Sequence, residues 1–286
     1  MRLSNNRLLT RTAQIWLLVW VFGLGAAERQ VDPTFLHRVL ASASEKKSDL
    51  TTATCHYKPL FGEGDSQTSV VVGVARFGEA IVDAGGSCAT VSYPEEDQVY
   101  VLLEGNGSAK YADENVALKK EDYLYLPATI PHNLANKSNA PLRVVVMGFH
   151  LKGLEKAPLP PHPLKANIED VRTQPVSGHP TSALYRLLMG DIDSKRDRIA
   201  AGRAITSMFL MEIAPSGTNF PHHHEREEEI YFVESGGGKL HSGDGAYSLK
   251  QGDFTYLPPG LRHSISSDSD EALRVLVMGF KVPAKV

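Results

Sequence analysis

Three consecutive histidines, His222-His223-His224, are followed by a run of acids that ends at Glu229, and a further histidine, His263, closes the stretch from Gly252 to Arg262. On an extended backbone side chains alternate between faces, so His222 and His224 share one face while His223 turns away. Two imidazoles on one face can grip a metal ion. Glu229, opening the next strand after a tight connection, can return its carboxylate to the same face, and His263 is the candidate fourth ligand. Three neutral imidazoles and one carboxylate suit one divalent first-row ion (manganese, iron, nickel, cobalt or zinc), and ligand type alone does not choose among them. In octahedral geometry such an ion keeps two open positions, for a chelating oxygen pair or for substrate with dioxygen. Glu225, Arg226, Glu227 and Glu228 read as a solvated turn and rim. Tyr231, which shares its parity with Glu229 and Val233, and Arg262, beside His263, are the candidate catalytic residues. Their bland readings are a core tyrosine and a surface arginine. Tyr256 and His241 also stand near the motifs.

The elements that must position these residues follow from an internal repeat. Lys119-Lys120-Glu121-Asp122-Tyr123-Leu124-Tyr125-Leu126-Pro127 returns as Lys250-Gln251-Gly252-Asp253-Phe254-Thr255-Tyr256-Leu257-Pro258, a shift of 250 − 119 = 131. The same shift carries His132 to His263, Gly105 to Gly236, and Leu142–Phe149 to Leu273–Phe280. With a three-residue slip the match continues upstream, Tyr57–Gly62 resembling Tyr185–Gly190. Subtracting 131 from the four candidate ligands gives Val91, Tyr93, Gln98 and His132, so the first copy has lost three of them. That copy is expected to be structural, or to hold a small polar ligand through His132, Gln98 and Tyr93.

Within each copy the apolar segments are short and rich in β-branched and aromatic residues. Val99–Leu103, Ile230–Val233, Ser69–Val74, Thr206–Ile213, Phe254–Leu257 and Arg274–Met278 read as strands punctuated by Gly, Pro, Asn and Asp. Many short strands at this spacing predict an all-β fold of sandwich or barrel type. Residues 1–27 read as a signal peptide, 28–50 as an N-terminal extension, 51–150 and 181–286 as the two repeated domains, and 151–180 as a linker. Four prolines between Lys156 and Pro163 make its start an extended, stiff connector. A short helix is expected over Pro33 to Leu40, with Asp32 as N-cap.

The motif residues carry a resemblance. The glycine at 217, His222-x-His224, four residues, Glu229, six residues and Gly236 resemble the first motif of the cupin superfamily. Gly252-x5-Pro258-x-Gly260-x2-His263 resembles the second, with Ser267 where an asparagine is often found. The resemblance covers about two thirds of the chain and implies a bicupin. Such a protein has two tandem double-stranded β-helix (jelly-roll) barrels, each with a site in its mouth. Bicupin oxalate decarboxylases and oxidases resemble this arrangement, but they keep ligands in both barrels or an arginine three residues before the first motif histidine, where this chain has Asn219. Quercetinase-like dioxygenases, with a single H-x-H-x4-E-H site, fit better. Ureidoglycine aminohydrolases, with manganese in the C-terminal barrel only, differ in ligand pattern. The resemblance also admits a non-catalytic binding or storage protein.

Composition sets the outer bounds. With 286 residues, 42% hydrophobic and 22% charged, the chain is neither a disordered tail, nor collagen-like, nor a multispan membrane protein. Arg2, Arg7 and Arg11 precede an apolar run from Ala13 to Leu24, and Gly25-Ala26-Ala27 offers small residues for cleavage before Glu28. The run falls short of the roughly 18 to 20 residues a membrane span needs. Cleavage leaves 27 − 33 = −6 in place of −3, an acidic protein that is secreted or periplasmic, without a stable membrane span. Lysines and arginines are scattered rather than striped, which disfavours nucleic acid as a partner. A small-molecule ligand or substrate is expected, and a homodimer is compatible. Cys55 and Cys88 are the two cysteines, and one bridge or two buried thiols both fit.

Overall fold

The computed structural model describes residues 35–154 and 157–283. The expected signal peptide, Asp32 and Pro33 lie outside them. Among the described residues no helix is long and apolar enough to cross a membrane.

Each repeat folds into two sheets that face one another as a jelly-roll barrel, antiparallel throughout except that Ile199–Gly202 pairs parallel with Ala183–Asp191. In the first, the larger sheet runs Asp122–Leu126, Glu96–Glu104, Leu142–His150, Val74–Val82, Cys55–Gly62 in spatial order, and the smaller sheet runs Glu114–Lys119, Asn106–Tyr111, His132–Ala135. In the second, Asp253–Leu257, Glu227–Ser235, Leu273–Lys281, Ile205–Ile213 and Ala183–Asp191 form the larger sheet. Gly245–Lys250, Gly237–Ser242 and His263–Ser267 form the smaller.

The larger sheets are buried on both faces, which explains their nearly continuous apolar sequence. In Leu142–Phe149, Leu142, Val144 and Val146 point into the first barrel, while Val145, Met147 and Phe149 join a core shared with the second. The copy at Leu273–Phe280 divides in the same way. Phe149 meets its own repeat partner Phe280 with ring centroids 5.0 Å apart, and Phe77 packs edge-on against Phe254 at 5.7 Å. The repeats therefore form an internal pseudo-dimer, back to back.

Strand exchange reinforces that arrangement. The strand before the first barrel, Leu36–Val39, pairs with Asp253–Tyr256 of the second. The strand before the second barrel, Leu164–Asn167, pairs with Asp122–Tyr125 of the first. Thus the segment expected as a helix is a strand followed by one 3-10 turn, Leu40–Ser42. Leu36 and Leu40 have helical spacing, but both are buried in the shared core, and the exposed edge of the second barrel supplies the backbone partners. The linker likewise contributes structure: besides Leu164–Asn167 it holds a 3-10 turn at Ile168–Asp170 and a short strand at Thr173–Gln174.

Ser69–Val74, expected as a strand, is irregular until Val74. Val70 and Val71 are buried between the barrels, and the N–H groups of Val72 and Gly73 donate to the Glu228 carboxylate at 3.1 and 2.7 Å. A side chain of the second barrel satisfies the backbone that a neighbouring strand would otherwise satisfy. The repeat partner of Glu228, Asp97, crosses the interface the other way, accepting from Arg203 Nε at 3.0 Å and from the Tyr125 hydroxyl at 2.7 Å. Cys55 and Cys88 form a disulfide that ties the first strand of the first barrel to the loop after its second.

Candidate metal centre

His222 and His263 face each other across an isolated bridge, exchanging backbone hydrogen bonds of 2.9 and 2.8 Å. The extended strand expected for His222 and His224 is reduced to this single bridge, and His224 lies past it. Its carbonyl accepts from the N–H of Gly260 at 2.8 Å. Gly260 has φ +78°, the left-handed conformation that turns the chain from Pro258-Pro259 back to His263. Glu229 is the third residue of its strand, which begins at Glu227, two residues earlier than expected.

These elements bring one ligand atom from each of His222, His224, Glu229 and His263 to within 4.8 Å of one another. Glu229 and His263 are buried, and His222 and His224 are half-buried on the open side. His222 Nδ1 donates to the Phe220 carbonyl at 2.8 Å and His263 Nδ1 to that of Leu261 at 2.9 Å. With Nδ1 so committed, each neutral ring turns the lone pair of Nε2 inward. His263 Nε2 then stands 3.2 Å from Glu229 Oε2, outside hydrogen-bonding geometry, and His224 Nε2 stands 3.4 Å from Glu229 Oε1. The Tyr231 hydroxyl is the one donor among these acceptors, and Glu229 Oε2 and His224 Nε2 stay buried without a hydrogen-bond partner among the described residues, so three imidazoles and one carboxylate here fit a transition metal. Burial would push the Glu229 carboxyl up, yet positive charge on the surrounding imidazoles, His263 foremost, holds it below the usual carboxylate range, a part that a cation would take over beside neutral rings. Burial lowers His222, which keeps it neutral and able to ligate.

Tyr231 is buried beside the four, its hydroxyl 3.1 Å from His263 Nε2, and desolvation holds its pKa well above the ordinary value. The hydroxyl is thus placed on a candidate ligand, and the residue also lines the cavity beside the cluster. Arg262 is exposed on the turn before His263 and does not line the cavity. His223 points outward to Glu225 at 2.7 Å. Tyr256 lies between the barrels, bonded to the Val70 carbonyl and Glu228, and His241 bonds Ser266. Asn219 accepts from the Ile265 N–H at 2.8 Å, and Val233 belongs to the barrel core.

A cavity of about 220 Å³ opens beside the cluster. Residues that the motifs do not mark line it: His179 from the end of the linker, Tyr185, Arg196, Ser207 and Glu227. Glu227, read as rim from sequence, is half-buried, and its carboxyl is raised by desolvation. Tyr185 was legible as the repeat partner of Tyr57. Arg196 sits in the loop that accommodates the three-residue slip of the repeat, which was the one signal for it.

The first barrel keeps the backbone of the site and fills it. Val91 and His132 form the same bridge, and His132 Nδ1 donates to the Ile130 carbonyl at 2.8 Å. The Arg76 guanidinium lies 3.9 Å from the centre of the Tyr93 ring, which replaces His224. It is held by Glu96 at 3.1 Å, Asp49 at 2.8 Å and Glu63 at 3.0 Å. Gln98 donates to Glu96 at 3.2 Å instead of offering a carboxylate.

The sequence profile of the cupin domain matches residues 78–148 and 209–279, two windows separated by the repeat shift of 131. An uncharacterized protein of Methanocaldococcus jannaschii is 31% identical over 71 residues, 25% of this chain and 57% of that protein. The chain thus spans little more than half the length of that curated relative. Among solved structures, a putative glyoxylate-induced protein of Pseudomonas aeruginosa superposes with TM-score 0.68 at 14% identity, over 88% of this chain and 91% of that one. Protein YlbA of E. coli gives 0.66 at 13% identity, over 91% and 97%. A deletion mutant of Bacillus subtilis oxalate decarboxylase gives 0.62 at 12% identity, over 88% and 78%. At these identities the likeness is one of fold.

Proposed function

The chain belongs to the cupin superfamily, with one cupin domain in each half, and from that premise we propose that it is an exported, metal-dependent enzyme acting on a small oxygenated molecule. One divalent ion, manganese, iron, nickel, cobalt or zinc, is held by His222, His224, Glu229 and His263. The observation that carries this reading is the inward convergence of acceptors, above all His263 Nε2 against Glu229 Oε2 at 3.2 Å. The ion supplies Lewis acidity, or redox chemistry if it is iron. The chain's own contribution is to orient two imidazoles through backbone carbonyls, to hold Glu229 ionised, and to leave the side toward the 220 Å³ cavity open for substrate. Dioxygenation, decarboxylation and isomerisation all fit such a centre.

Export is supported by the leader-like residues 1–27 and by the Cys55–Cys88 disulfide, which suits an oxidising compartment. Peptide mass mapping of the mature protein is expected to begin at Glu28. A non-catalytic metal or ligand binder is the second reading, favoured by the positions of Tyr231, committed to His263, and Arg262, outside the cavity. Metal identification with oxygen-uptake and product screening separates the two. Turnover that is lost in His222→Ala/His224→Ala supports the enzyme, and ligand-induced thermal shifts without product support the binder.

A further inference from the structure

We propose that the cavity of the second barrel selects a small organic monoanion, with Arg196 and Tyr185 holding the end of the molecule that does not reach the metal. This rests on the reading that a divalent ion occupies the four ligands.

The cavity is unfinished as a hydrogen-bonding environment. Tyr185 is 3% exposed, lines the cavity, and its hydroxyl has no partner among the described residues. His179 Nδ1 is also buried without a partner, and its ring packs edge-on against His222 at 5.6 Å and beside Tyr185 at 5.1 Å. Buried polar atoms are rarely left unpaired, and while the Tyr57 hydroxyl, the counterpart of Tyr185, is unpartnered in the closed barrel, Tyr185 and His179 line an open cavity and can meet what it receives. Tyr185 has a single proton to give, and it points to an oxygen acceptor on the ligand.

Charge chooses the sign. A divalent ion (+2), Arg196 (+1), Asp197 (−1), Glu227 (−1) and Glu229 (−1) sum to zero around the cavity, so the sign is set locally, by the Arg196 guanidinium at the rim for the end of the ligand that does not reach the metal. Arg196 is exposed at the rim, its Nε 3.4 Å from the buried Asp197 carboxylate, itself taken by Ser194. Its terminal nitrogens have no protein partner among the described residues and form the planar fork that matches a carboxylate.

Size and shape narrow the class. About 220 Å³ is below the roughly 300–1,000 Å³ of sites for drug-sized ligands, and Leu187, Phe209 and Met211 supply an apolar wall for a short carbon skeleton. The space exists because the second barrel carries Ser207 where the first carries Arg76 (76 + 131 = 207), and Arg196 lies on the adjoining loop, which is longer than its counterpart by the three residues of the slip. The first barrel holds a cation permanently in its mouth, whereas the second places one at the rim, where a ligand's charge can meet it.

The test uses the full-length mature protein loaded with cobalt(II), titrated calorimetrically and by its visible spectrum with pyruvate and levulinate and with the neutral amides pyruvamide and levulinamide. Wild type is expected to bind at least one of the acids tenfold or more tighter than its amide. Arg196→Gln is expected to abolish that preference, and Tyr185→Phe to weaken acid and amide alike by about five- to tenfold, each with one cobalt retained and an unchanged melting temperature. Equal binding of acids and amides by wild type, or a preference that survives Arg196→Gln, would overturn the proposal while leaving the metal centre standing. Failure of wild type to take up cobalt at all would instead sink the metal reading, and this proposal with it.

Discussion

Arg76 in the first barrel and Ser207 in the second occupy one position of the repeat, each pairing across its sheet with the equivalent glycine, Gly148 or Gly279. The arginine closes its barrel with a built-in cation, and the serine leaves the other open. Removing the guanidinium would leave the half-buried Glu96 carboxylate without its partner, while Asp49 and Glu63 are exposed to solvent. Arg76→Met is expected to destabilise the protein by about 1–3 kcal/mol, the cost of leaving a half-buried charged acceptor without its partner. Urea unfolding measures it, and the metal content per chain should not change.

The Cys55–Cys88 bridge spans 33 positions and constrains only the first barrel. Loop-closure entropy for that span corresponds to about 4 kcal/mol in the chain-entropy model, with measured values commonly 2–4. Thermal melts in reducing buffer, or of Cys55→Ala/Cys88→Ala, should show that loss in the first barrel while the second retains its metal.

Glu234 lies in a cavity of about 570 Å³ between the barrels, near Glu121, Glu169 and Arg274. Burial, followed by the charge of Glu121, pushes its carboxyl up to about 7. A carboxyl raised in the folded state binds more protons there than in the unfolded chain, so stability falls as pH rises from about 4.5 to 7 and stays reduced above. Glu234→Gln should therefore stabilise the protein at pH 8, by up to about 3 kcal/mol at 1.36 kcal/mol per pH unit, and change little at pH 5. Denaturation at the two pH values distinguishes these outcomes, and equal effects at both would contradict the assignment.

The repeat made the two-barrel architecture legible from sequence, because Phe149 and Phe280, or Tyr125 and Tyr256, occupy matching sites in matching sheets. His222, His224, Glu229 and His263 were legible because their spacing reflects a local turn and one cross-strand bridge. What sequence hid was set by contacts between the copies. The spacing of Leu36 and Leu40 suits a helix until the free edge of the other barrel claims it as a strand. Ser69–Val74 has strand composition, but its N–H groups are satisfied by Glu228, 155 residues or more away. His179 reaches the cavity from the linker, where no local pattern marks it, and Tyr185 and Arg196 are marked only through the repeat, one as the partner of Tyr57 and the other by the loop that takes up the three-residue slip.

The central claim is a single metal centre in the second barrel only. Elemental analysis of protein purified from metal-replete medium tests it most directly, alongside His222→Ala/His224→Ala and His132→Ala. Wild type and His132→Ala are expected to carry about one equivalent of a first-row divalent metal per chain, and the double variant close to none. Metal-free wild type, or a double variant that keeps its metal, would contradict it.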